Sequence, residues 1–180
     1  VNTSDLYFKP VEVATGNEDL NQTVVMRLEV NPESYIDFVY TIAPDDYMLN
    51  FSVNPKNMNS YLPFGINFLD MHWSSKVRQQ EKGRKFENQY SEIFYKYAAD
   101  DVESLGSTKT TRESLSNKIK WIAFKDQFFS TILIADDVFT SADLIQEKYD
   151  DNSKSPYIKD YQANMIVGFD ASGQRPSGFR

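Results

Sequence analysis

Not one cysteine occurs among the 180 residues, so disulfides, thiol nucleophiles and sulfur-ligated metals are excluded. Histidine is nearly as scarce. His72 stands alone, and any catalytic triad or zinc centre would have to be assembled around it, whereas a metal site needs three or four ligands at a recognised spacing. Only seven glycines are present, and no G-x-G-x-x-G, P-loop, G-x-S-x-G or H-E-x-x-H pattern occurs; no motif calls for a cofactor. Long apolar runs are missing too: the longest, residues 128–135, is eight residues with Ser130 and Thr131 inside it, where a bilayer span needs about 20. Positive charge is in deficit, 19 Lys and Arg against 26 Asp and Glu. The resulting net charge of −7 repels phosphate backbones and argues against a nucleic-acid partner. The chain starts at Val1 without an initiating methionine or leader, and reads as a piece cut from a longer protein.

What the chain has in quantity is side chains for a core, 41% hydrophobic with 14% aromatic, arranged with period two. In residues 23–30 (TVVMRLEV), Val24, Met26, Leu28 and Val30 share one face, and Arg27 and Glu29 share the other. The turn NPES leads into residues 35–42, where Ile36, Phe38, Tyr40 and Ile42 alternate with Asp37 and Thr41. After APDD, residues 47–54 repeat the pattern, predicting a three-stranded antiparallel meander. Further strands are expected over residues 66–73, 88–97, 119–124, 128–135 and 157–169. Residues 141–149 carry capping-box spacing at Thr140 and Asp143 and could start a helix, but strand is the preferred reading. Residues 104–117, rich in Ser, Thr and charge, are expected to form a solvated loop.

Residues that could carry chemistry all have a structural reading beside the functional one. His72, within NFLDMHW, shares a strand face with Asp70 and Phe68 and is expected on the solvent side or held by a hydrogen bond. The paired aspartates Asp45-Asp46, Asp100-Asp101, Asp136-Asp137 and Asp150-Asp151 fit turn and strand-end punctuation better than calcium sites, because neighbours on a strand point to opposite faces. The glycosylation triplets at Asn2, Asn21 and Asn50 are weak signals, and Asn50 falls inside an expected strand. From the residues alone this is an all-β domain without visible catalytic equipment.

One stretch, KWIAFKDQFFSTILIADD (residues 120–137), resembles the most recognisable motif of the large periplasmic domain of the YidC family of bacterial membrane protein insertases. Trp121, Ala123, Gln127, Phe128, Phe129 and Thr131 stand at the matching positions. TSDLYFKP, SYIDFVYTIAPDDYMLNFSV, MHW and QQEKGRKFENQYSEIFYKY agree in the same order, so the resemblance covers most of the chain.

The resemblance implies an all-β fold, an antiparallel β-supersandwich of galactose mutarotase type. Residues 1–180 would be part of a single periplasmic domain, incomplete at both ends, of a protein anchored in the inner membrane. It implies a non-catalytic role, assisting insertion and folding of inner-membrane proteins through contacts with accessory subunits of the Sec translocon and with client polypeptide. The alternative is a carbohydrate-binding or mutarotase-like domain, since mutarotase relatives of the fold use His with Glu or Asp as acid and base. The six motif residues are expected in the structural core, in two apolar strands joined by a reversal at KDQ. A fragment lacking strands at both ends would also leave sheet edges unpaired, and self-association is expected from that cut.

Overall fold

A computed structural model describes residues 2–14 and 20–180. Antiparallel β-structure dominates it, as the alternation implies. The described residues contain twelve strands, a 3₁₀ turn at Thr3–Asp5 and one short helix, α1 (Arg84–Gln89). The strands are β1 (Lys9–Ala14), β2 (Gln22–Asn31), β3 (Ser34–Ile42), β4 (Leu49–Lys56), β5 (Phe68–Arg78), β6 (Glu92–Tyr97), β7 (Val102–Ser104), β8 (Thr111–Leu115), β9 (Ile119–Lys125), β10 (Ser130–Lys148), β11 (Tyr157–Gly168) and β12 (Ser177–Phe179). They fall into two compact units, residues 1–68 with 168–180 and residues 69–167.

The first unit is an antiparallel sheet in the order β1-β2-β3-β4-β12. Its faces are those the sequence assigns: Met26 lies opposite Phe38, and Phe38 opposite Val53. On that face Phe8, Phe38, Phe51, Tyr40 and Phe179 form a chain of ring contacts 4.7 to 5.7 Å apart. On the other face Arg27 makes a bidentate ion pair with its cross-strand partner Asp37, at 2.7 and 2.8 Å, and lies over the Tyr35 ring. The turns use short polar side chains to hold their own backbone: Asn31 Oδ1 accepts from the Glu33 amide, and Asp46 Oδ1 from the Met48 amide. Asp45 takes the left-handed conformation, φ 53°, which Asp tolerates better than most residues.

The second unit is organised around β10, a single strand of 19 residues. One of its edges carries β9 and then β8 end to end, and the other carries β11. Beyond β9 come β6 and β7, and beyond β11 comes β5. Expected strands at 128–135 and 141–149 are thus one element. Thr140 is an extra residue between the pairs Phe139–Val167 and Ser141–Ile166, a β-bulge whose hydroxyl donates to the Ile166 carbonyl. It reverses which side chains face inward: Ala135 and Phe139 are buried before it, Ala142, Leu144 and Gln146 after it.

Two expectations need correction. Residues 104–117 are not all loop, because Thr111–Leu115 forms β8 and pairs with β10 from Gln146 to Ala142. Polar side chains cover that strand because only Leu115 of the five is buried. Residues 88–97 do not begin as a strand: Asn88 and Gln89 end α1, and β6 starts at Glu92. The helix is pinned by the buried Glu87 carboxylate, which accepts from the Gln80 and Glu81 amides at 2.9 to 3.1 Å.

Gly173 in the first unit has φ +82°, and a Cβ there would lie 2.0 Å from the Pro55 carbonyl oxygen. Both the conformation and the approach require glycine. Gly173→Ala is therefore expected to destabilise the fold by about 1–3 kcal/mol, read as a lowered urea midpoint.

Candidate functional site

A cleft of about 350 Å³ opens on one face of the second unit, over β5, β11, β10 and β8. Residues from all four strands line it, and period-two geometry brings one polar side chain from each into a row. Asn164 and Asp143 are cross-strand partners, as are Asp143 and Ser114. His72 Nδ1 lies 2.7 Å from Asn164 Oδ1, and Ser114 Oγ donates to Asp143 Oδ1 at 2.5 Å. With Asn164 oxygen as acceptor, His72 Nδ1 is the donor of that bond, and Nε2 has no protein partner among the described residues.

Asp70, Ser116 and Ser141 add to the rim, and Ile166 supplies apolar surface. Two carboxylates and no Lys or Arg line the cleft. It suits a ligand rich in N–H, O–H or ammonium donors and repels an anion. Asn164 lies between His72 and Asp143 in the row, so the histidine is tied to an amide and not to a carboxylate. Among the described residues no three His, Asp or Glu side chains gather closely enough to hold a metal ion.

The family-motif residues lie elsewhere in this unit. Ala123 on β9 is buried, beside Phe124, which stacks on Trp73 with ring centroids 3.8 Å apart and planes 9° from parallel. Trp121 and Gln127 are half-buried. Phe128 and Phe129, expected in the core, are 52% and 75% exposed, and Thr131 is exposed as well. The cause is the reversal between β9 and β10. Asp126 Oδ1 accepts from the Phe128 and Phe129 amides, and the Asp126 amide donates to the Phe129 carbonyl, so the two rings ride on the tip of a tight turn.

Composition does not reveal a set of buried polar groups behind α1. Lys159 is fully buried, its ammonium donating to the carbonyls of Asn88, Ser91 and Ser107. Buried Gln146 accepts from the Ile93 amide and donates to the Gly106 carbonyl at 2.7 Å. Arg84 donates to the Ser155 and Tyr157 carbonyls and to Gln79. Each group ties down backbone at the end of an element or in the loop beside it. Alternation did carry a signal for Lys159, which shares its face of β11 with the buried Tyr161, Ala163, Met165 and Val167.

The match with known proteins is nearly as long as the chain. The family model for the YidC periplasmic domain matches residues 1–172. The chain belongs to the YidC periplasmic domain family. It is 41% identical over 174 residues to the membrane protein insertase YidC of Parabacteroides distasonis, a match covering 97% of this chain and 26% of that protein. Against the Bacteroides fragilis insertase it is 38% identical over 177 residues, 98% of this chain and 27% of the relative. A more distant relative, from Chlorobium limicola, is 25% identical over 139 residues, covering 74% of this chain and 24% of that insertase. The chain thus spans about a quarter of the length of the curated relatives it matches. Membership places it in the periplasmic portion of an inner-membrane protein. No helix among the described residues is long and apolar enough to cross a membrane.

The turn and the buried lysine each give an expected outcome. Asp126→Ala should cost about 1–2 kcal/mol, because two amides lose their acceptor, whereas Phe129→Ala should stay within about 0.5 kcal/mol; urea unfolding distinguishes them. Burial depresses the Lys159 pKa from 10.5 to about 8. Between pH 8 and 10.5 the unfolded chain then binds more protons than the folded one, so this group's contribution to stability rises with pH across that window. The stability difference between wild type and Lys159→Met should shift in favour of wild type from pH 8 to 10.5, as measured by urea midpoints at each pH.

Proposed function

We propose that this domain is the non-catalytic periplasmic module of an inner-membrane protein insertase, assisting insertion and folding of client membrane proteins. In this reading it works through protein contacts with accessory subunits of the Sec translocon and with client polypeptide. The single observation that carries the reading is the family match over residues 1–172 to a domain of proteins named membrane protein insertase. The cleft supports it chemically. Its row of side-chain oxygens, from Asp143, Asn164 and Ser114, suits backbone N–H groups, hydroxyls and lysine side chains of a polypeptide.

A second reading, carbohydrate binding, draws on the same row of His, Asn, Asp and Ser. Against it, His72 is the only aromatic ring among the lining residues, so no Trp, Tyr or Phe is available to stack on a sugar face.

A photo-crosslinking residue at Ser141 in the full-length insertase is expected to capture translocon subunits or nascent chain. Asp143→Lys should lower that capture by about fivefold, the value of one exposed charge. Unchanged capture would remove the cleft from the contact surface. Saccharide binding to the isolated chain, lost in Asn164→Ala, would favour the second reading.

A further inference from the structure

Sheet edges in this protein are mostly protected by familiar devices. β1 carries Pro10 and a bulge between Pro10 and Glu12, β7 is three residues long, and β8 is five residues long with Arg112 and Glu113 on it. β5 is the exception. It runs for eleven residues without proline or glycine, and among the described residues it pairs only with β11. Among the described residues no strand partners the row of backbone N–H and C=O groups along its outer side.

The side chains of this strand read as self-complementary about Trp73. If a second copy runs antiparallel with Trp73 opposite Trp73, every residue keeps its own face, because the paired numbers differ by an even amount. Asp70 then lies opposite Lys76 twice over, Leu69 opposite Val77, and His72 opposite Ser74. Asp70 has no ion-pair partner among the described residues, and Lys76 reaches only the Tyr157 ring, 5.8 Å away. Asp70, His72, Ser74 and Lys76 are exposed, so the charges that would meet are available to do so. The opposite face would bring together Trp73 side chains that each stack on Phe124.

We propose that β5 is a homodimerisation edge, two copies pairing antiparallel over Leu69–Val77 about a two-fold axis through Trp73. Two Asp70–Lys76 pairs define the register, and the contact is isologous, closing at two copies without propagating. The pairing needs no translocon subunit or client.

The test uses charge reversal in the 180-residue chain. Wild type is expected to show a monomer–dimer equilibrium in sedimentation, with β5 amides losing exchange protection on dilution. Asp70→Lys alone places Lys opposite Lys twice, and Lys76→Asp alone places Asp opposite Asp twice. Each should weaken self-association by about tenfold. Mixed one to one, the two variants restore both opposite-charge pairs, and a heterodimer of near wild-type affinity should form. Both substitutions are on exposed positions, and cooperative urea unfolding near the wild-type midpoint checks that each variant is folded. Three results would each overturn the proposal: a wild-type chain that stays monomeric at high concentration, single variants that dimerise like wild type, or a mixture that remains monomeric. Protection of β5 only on adding an extended peptide, with no wild-type dimer, would assign the edge to another polypeptide and equally defeat it.

Discussion

The extra residue Thr140 in β10 controls more of the second unit than any other single feature. Before it, Ala135 and Phe139 face inward; after it, Ala142, Leu144 and Gln146 do. Without that one-residue step, period two would turn Asp143 to the core and Ala142 to solvent, because a slip of one residue exchanges the faces of everything downstream. The cleft exists because the bulge turns Asp143 outward beside Asn164 and Ser114, while the strand continues unbroken to Lys148. A single long strand also explains how β9 and β8 share one of its edges: β9 pairs from Ser130 onward, and β8 takes over at Ala142.

Around that ladder, the buried polar groups do what strand pairing cannot. The end of α1 with residues 90–91, and the turn at residues 106–107, present carbonyls that no strand pairs, and a buried carbonyl left unpaired costs about 1–3 kcal/mol. Lys159 and Gln146 reach them from β11 and β10 with donors placed on inward-facing positions. A buried ammonium surrounded by carbonyls, with no contacting carboxylate among the described residues, is costly to desolvate, and burial lowers its pKa. Three satisfied donors compensate, and the loops are tied to the sheet as a result.

The motif that identifies the family and the cleft that offers chemistry are different places. Of the six motif residues only Ala123 is buried, and Phe128 and Phe129 stand on a turn that Asp126 closes. An apolar run in a β-protein mixes two populations, side chains that pack and side chains that a reversal pushes outward. Periodicity alone does not separate them at a turn, because the alternation stops there. In the first unit, where β3 and β4 pair without a shift of register, the aromatic face of Phe38, Tyr40 and Phe51 follows the alternation.

Alternation by itself determined the all-β class, the β2-β3-β4 meander with its faces, and the exposure of His72, since each depends only on neighbouring residues and period two. A run of matching segments in order carried the family. Tertiary structure alone decided three things. β8 forms although its residues read as loop, because β10 supplies the backbone partner and exposed strands need few apolar side chains. The parity of Asp143 depended on a bulge that leaves no mark in composition. The row His72–Asn164–Asp143–Ser114 joins residues up to 92 positions apart, and only the order β5-β11-β10-β8 puts them side by side. Local sequence sets which face a side chain takes along a strand, and long-range register sets which side chains meet across it.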